Sequence, residues 1–138
     1  MLRYMLDTDI CSGVIKMRSP ALLERFNAHA EEICVSSITL AELYFGAERS
    51  DAERRQHLLR TIEHLAARLE TLPFGEQAAV HYGQVRAELE RVGKTIGSND
   101  MLIAAHARSE GLIVVTNNGR EFERVAGLRV ENWIVERG

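Results

Sequence analysis

The chain has 138 residues, 46% of them apolar and 27% charged, with a formal net charge of −3. That length predicts a single domain spanning 1–138 with a hydrophobic core of its own, and the composition excludes a disordered or low-complexity protein. The acidic balance excludes nucleic-acid binding through the overall field, so any such binding has to come from a local patch.

The N-terminus has neither the basic region nor the small-residue cleavage site of a secretory signal, and no stretch reads as a membrane span. The cytoplasm is therefore the expected location, with no membrane partner. The opening run Leu2-Arg3-Tyr4-Met5-Leu6 is short and apolar and stops at Asp7-Thr8-Asp9, which predicts a buried strand closed by a polar turn. Asp7 thus stands where open parallel sheets carry functional groups, just beyond the carboxyl end of a strand, although Asp is also an ordinary N-cap and turn residue. Helices are predicted over residues 10–15 and 20–30, the second opening on Pro20 and carrying Leu22, Leu23 and Phe26. Ile33-Cys34-Val35 is the next strand, and Ser36-Ser37 are ready N-caps for a helix over 38–47. Cys11 and Cys34 lie in apolar contexts without zinc or C-x-x-C spacing, which predicts buried free thiols.

Glu42 is the only charged residue between Glu32 and Glu48, on a helix apolar around most of its circumference. A carboxylate there is costly unless an Arg, a rim position or a bound metal compensates it. Residues 51–69 form a long amphipathic helix whose His57 and His64 read as surface groups, since the i, i+4 spacing of a helical zinc site is missing. A weak strand follows at Glu70-Thr71-Leu72-Pro73-Phe74, its proline predicting an edge position. The next helix, over 77–92, ends at Gly93.

Gly97-Ser98-Asn99 marks a turn opening a buried helix, and Asp100 is the only formally charged residue between Lys94 and Arg108. Capping alone would account for one acid at that place. Leu112-Ile113-Val114-Val115 is the clearest strand, suited to the middle of a parallel sheet. It runs into Thr116-Asn117-Asn118, a helical turn around Glu121-Phe122 and a last strand near Leu128-Arg129-Val130. This alternation predicts a parallel sheet with helices on both faces.

In such a sheet the turns after parallel strands share one edge, so Asp7, Glu42, Asp100 and one of Asn117 or Asn118 are expected to converge. Several carboxylates in a low-dielectric pocket repel one another unless a cation neutralises them, and an oxygen-only donor set suits Mg²⁺ or Mn²⁺. Basic residues gather at Arg49, Arg54, Arg55 and Arg60 and again at Arg86, Arg91 and Lys94, mostly alternating with Glu as on a solvated helix face.

Four stretches carry a resemblance: Met5-Leu6-Asp7-Thr8-Asp9, Ser36-Ser37-Ile38-Thr39-Leu40-Ala41-Glu42-Leu43, Gly97-Ser98-Asn99-Asp100-Met101-Leu102-Ile103-Ala104 and Val114-Val115-Thr116-Asn117-Asn118. In order and context they resemble PIN-domain proteins, and more narrowly the VapC toxins of bacterial toxin–antitoxin pairs, over residues 1–133. The resemblance implies a three-layer α/β/α sandwich with about five parallel strands. It also implies a divalent-metal endoribonuclease that inhibits translation and is neutralised by a VapB-type antitoxin. Asp7, Glu42 and Asp100 match the family's metal-binding, catalytic acids: Asp7 and Asp100 as metal ligands, Glu42 as ligand or water-orienting base. Thr8, Ser37 and Thr116 become hydroxyls that hydrogen-bond the acids or cap helices. Where the family often has a fourth Asp, Asn117 and Asn118 stand, which makes one metal the safer expectation. The resemblance further implies tRNA as substrate, with the initiator tRNA anticodon region leading, a homodimer, and contact with operator DNA only through the antitoxin complex.

Two other readings compete. Asp7-Thr8-Asp9 and Ser98-Asn99-Asp100 mimic the nucleophile pair and late metal motif of haloacid-dehalogenase-like phosphatases, but Ile10-Cys11 replace the expected Gly-Thr and Glu42 is left without a role. The other is a non-catalytic PIN-like binding module, against which the three intact acids argue.

Overall fold

The computed structural model describes residues 1–134, so residues 135–138 of the expected domain lie outside them. Strand β1 (Tyr4–Leu6) leads into α1 (Thr8–Ile15) and α2 (Pro20–Ala28). Strand β2 (Ile33–Ser36) leads into α3 (Ser37–Glu48) and α4 (Ala52–Arg68), and β3 (Glu70–Leu72) into α5 (Glu76–Arg91) and α6 (Ser98–Ser109). After β4 (Ile113–Val115) come the short α7 (Gly119–Phe122) and β5 (Val130–Glu131). The strands form one parallel sheet in the order β3-β2-β1-β4-β5. The chain winds outward from β1 to β3, then crosses back to lay β4 on the other flank of β1. β3 is an edge, as Pro73 just after it predicts, and β4 is interior, paired with β1 and β5, while β1 holds the centre.

Alternation along each buried strand divides the core in two. Tyr4, Leu6, Ile33, Val35, Ile113 and Val115 face α1 to α4 and Trp133, whereas Met5, Cys34 and Val114 face α5, α6 and Phe122. Helices thus cover both faces, giving the predicted three layers. The α1–α2 corner is close: a Cβ at Gly13 would lie 3.1 Å from a Leu22 methyl, so glycine suits the approach of the two helices. At the end of α5, Gly93 takes φ +68°, the left-handed conformation that stops a helix. Cys11 and Cys34 are buried free thiols, and burial pushes both thiol pKa values up, so neither offers a thiolate. His57 and His64 are exposed on α4. Among the described residues no helix is long and apolar enough to cross a membrane.

Candidate functional site

The centre of the site is where strand order reverses, at the carboxyl ends of β1 and β4. Asp7 leaves β1 there and is the N-cap of α1: one carboxylate oxygen accepts the Ile10 amide at 2.9 Å. The hydroxyl of Thr116, the residue leaving β4, lies near enough to favour the ionised form as the Ile10 amide does, yet burial outweighs both. With Asp9 and Asp100 adding repulsion, the Asp7 carboxyl is pushed up from its ordinary 3.8 to about 6.

Asp100 reaches the same edge from α6. That helix begins two residues earlier than the turn signal suggested, at Ser98, with Gly97 as N-cap. Capping therefore does not account for Asp100, whose side chain is turned instead toward other acids. Burial, the neighbouring Glu121 carboxyl and the charge of Glu42 push it up to about 6, against the opposing effect of the nearby Asn118 amide. Glu42 is half-buried and held by the Thr8 hydroxyl and by the Asn99 amide at 2.8 Å. Its compensation comes from these neutral donors; among the described residues no ion pair reaches Asp7, Glu42 or Asp100.

The structure separates residues that the sequence left together. Asn118 faces the acids: its amide donates to Glu121 at 2.8 Å and favours the ionised form of nearby Asp100. Asn117 instead accepts from the Asn132 amide at 3.2 Å. Thr8 donates to the Glu42 carboxylate, and Thr116 lies close enough to Asp7 to favour its ionised form. Ser37 does not come to the acids: its hydroxyl accepts the Phe74 amide at 3.0 Å, fixing the loop after β3, while its buried neighbour Ser36 caps α3 through the Ile38 amide.

Two participants escaped the sequence reading. Glu121, on α7, supplies the further acid that Asn117 and Asn118 seemed to replace. The signal was its place three residues beyond Asn118, which sets both side chains on one face of a helical turn. His106 is buried on α6, one ring nitrogen 2.8 Å from the Ser36 hydroxyl and the other without a hydrogen-bond partner among the described residues. Burial pushes its pKa down, so a neutral imidazole joins α6, which bears Asp100, to the cap of α3, which bears Glu42.

Whether this set suits a cation can be read from its chemistry. Four carboxylates gather with hydroxyl and amide donors, two of them raised by burial and repulsion, which is the charge deficit that a hard divalent cation relieves. As the side chains stand, no three His, Cys, Asp or Glu groups among the described residues are close enough to hold an ion. A cation held here would require the carboxylates to come closer together.

The PIN domain family matches residues 4–128. The chain is 55% identical over 134 residues to Ribonuclease VapC2 of Haemophilus influenzae, covering 97% of this chain and 100% of that one. It is 51% identical over 133 residues to the tRNA(fMet)-specific endonuclease VapC of Shigella flexneri, covering 96% and 99%. Among solved structures, DNA-bound VapBC from Salmonella typhimurium superposes with a TM-score of 0.91 at 50% identity, covering 96% of this chain and 99% of that chain. VapBC2 from Rickettsia felis, bound to a promoter DNA fragment, gives 0.88 at 36% identity, covering 96% and 99%.

Proposed function

The chain belongs to the PIN domain family, in its VapC ribonuclease branch, and on that premise we propose that Asp7, Glu42, Asp100 and Glu121 form the centre that hydrolyses an RNA phosphodiester. The observation that carries this reading is the meeting of buried Asp7 and half-buried Asp100, both raised, beside Glu42 and Glu121, with no cationic side chain among the described residues to pair Asp7, Glu42 or Asp100. A structural role alone would favour neutral residues at such positions, because a buried unpaired carboxylate costs stability. The comparisons favour this reading over a phosphatase or a non-catalytic module.

Asp7, Asp100 and Glu121 are assigned to hold a divalent cation, Mg²⁺ first and Mn²⁺ as the alternative. When bound, the cation supplies positive charge against the scissile phosphate and acidifies the attacking water. Glu42 has its carboxylate oriented by Thr8 and Asn99 and is the group placed to align that water and take its proton. Asn118 keeps Glu121 in register through its hydrogen bond, and the Thr116 hydroxyl and Asn118 amide favour the ionised forms of Asp7 and Asp100. The water oxygen bonds to phosphorus as the opposite ester oxygen leaves, so one P–O bond forms as another breaks.

The close relative named a tRNA(fMet)-specific endonuclease makes initiator tRNA the leading substrate, and the VapBC complexes make a VapB-type antitoxin the partner, with operator DNA contacted through that complex. This reading takes 1–138 as one domain acting in the cytoplasm as a toxin that stops translation. The test is cleavage of purified tRNA by the antitoxin-free protein with Mg²⁺ and with chelator. Discrete fragments only with metal are expected, and equal cutting in chelator would overturn the assignment. Glu121→Gln is expected to lower the rate roughly 10- to 100-fold and to raise the Mg²⁺ concentration for half-maximal rate. An unchanged metal requirement would remove Glu121 from the site.

For the homodimer, α3 offers Phe45, 66% exposed, beside Tyr44, whereas Leu40, Leu58 and Leu59 are already packed onto the core. Phe45→Glu is expected to shift sedimentation toward the monomer; an unaltered dimer would place the interface elsewhere.

A further inference from the structure

We infer that the cleft between the end of α5 and α7, lined by Lys94, Arg120 and Arg124, grips the phosphate backbone of the RNA as it enters the acidic centre. This rests on the ribonuclease reading of that centre. The acids themselves repel a polyanion, and the net charge of −3 offers no general attraction, so substrate capture needs a local cationic surface tied in position to the acids.

The structure sorts the basic residues by whether they are free to do this. Arg86 and Arg91 are already paired along α5, with Glu90 at 3.0 Å and Glu88 at 2.6 Å. Around the cleft the balance is opposite. It has a volume of about 480 Å³ and presents three cations against the carboxylates of Glu88 and Glu123, of which Glu88 is neutralised by Arg91. Among the described residues Lys94, Arg120 and Arg124 take part in no ion pair. A phosphate chain supplies the anions they lack.

Position decides which unpaired cations matter. Arg120 precedes Glu121 on α7, and Lys94 lies six residues before Asp100 on the loop that opens α6. The fully extended reach of six residues is roughly 20 Å, so the cleft lies no farther than that from Asp100. Arg124 locks the two segments together by donating to the Thr95 carbonyl at 3.1 Å. Cations and acids therefore sit on the same two pieces of backbone. The second cationic cleft, about 390 Å³ and carrying Lys16, Arg49 and Arg54, also reaches Thr8 and Glu42 at the acids, but its remaining walls are largely apolar, including Leu43, Leu58 and Ile62. Those walls suit a protein segment better than a phosphate chain.

The experiment is binding of fluorescently labelled tRNA to the whole protein in chelator, by anisotropy across a salt series, followed by cleavage kinetics in Mg²⁺. Lys94→Ala/Arg120→Ala removes two exposed side chains that make no hydrogen bond among the described residues. The expected result is a Kd raised at least about fivefold, with the slope of log Kd against log salt reduced by about 1.4–1.8, at 0.7–0.9 per phosphate contact. In cleavage KM rises in parallel and kcat stays within about twofold. Arg3→Ala/Arg129→Ala, the same charge change at the opposite edge of the sheet, is expected to leave the slope unaltered. Equal effects of the two pairs, an unchanged slope for the Lys94 and Arg120 pair, or no tRNA binding by the parent would each overturn the cleft. A parent that cuts while the Lys94 and Arg120 variant keeps its KM refutes the cleft and leaves the ribonuclease reading standing. A parent that binds through the cleft without cutting refutes the reading of the acids and leaves the cleft.

Discussion

Asp7→Asn is expected to lower RNA cleavage by roughly 10²- to 10³-fold or more while making the metal-free protein more stable at pH 7. The activity loss follows from removing a carboxylate assigned to hold the cation, whose electrostatic contribution to the transition state is several kcal/mol. The stability gain follows from the environment of Asp7. Its pKa is raised by burial from 3.8 to about 6 in the folded protein, so the fold binds a proton that the unfolded chain has already released over that interval. The associated stability is fully present below about pH 4 and is lost as pH rises through about 6, a difference of about 2–3 kcal/mol at neutral pH. An Asn side chain carries no charge and still accepts the Ile10 amide, so the cap of α1 is kept.

Denaturant melts in chelator between pH 4 and 8 check this directly. The parent should lose stability across that range more steeply than the variant, and Mg²⁺ should raise the midpoint of the parent alone. A variant that cuts at the parental rate would remove Asp7 from the chemistry. One that keeps the parental pH slope would show that the carboxyl is not buried as the structure has it.

The second large effect concerns stability. Trp133→Ala is expected to cost about 3–5 kcal/mol, the range for truncating a fully buried large aromatic. Trp133 is 1% exposed, packs edge-on against Tyr4 at 4.9 Å and stacks with His29 at 5.3 Å, and its indole donates to Glu131 at 3.1 Å. Arg25 donates to the carbonyl of the preceding Asn132. The segment after β5 is thus latched onto the α1–α2 side of the core. Circular-dichroism melts report the loss, since the substitution removes the chain's only tryptophan. Trp133→Phe should recover part of the stability, and cleavage per folded molecule should be unchanged because the latch does not touch the acids. A cost below about 1 kcal/mol would show that the ring is not part of the core.

Much of this protein can be read without coordinates. Alternating apolar runs and amphipathic segments gave the order of strands and helices, because burial on one face or two leaves a period that local sequence carries. Pro73, predicted within this strand and found just past the end of β3, pointed to an edge for the same local reason: it cannot donate to a sheet ladder. Asp7, Glu42 and Asp100 stood out as candidates because each is a lone charge among apolar neighbours, and isolation of that kind is visible along the chain.

The tertiary structure decided what depends on which segments meet. Glu121 lies among Arg120, Glu123 and Arg124, where it looks like any solvated helix residue; only the crossing of the chain to β4 sets α7 against Asp100. Asn118 rather than Asn117 faces the acids because the turn after β4 commits Asn117 to Asn132. Ser37 and Ser36 are adjacent hydroxyls of similar capping ability, and their different partners, the Phe74 amide and His106, come from elements far away in sequence. Local sequence determines which groups are polar, apolar or constrained, because those preferences act over a few residues. Long-range packing determines which charges share a low-dielectric pocket, because that depends on strand order and helix register, which no single segment encodes.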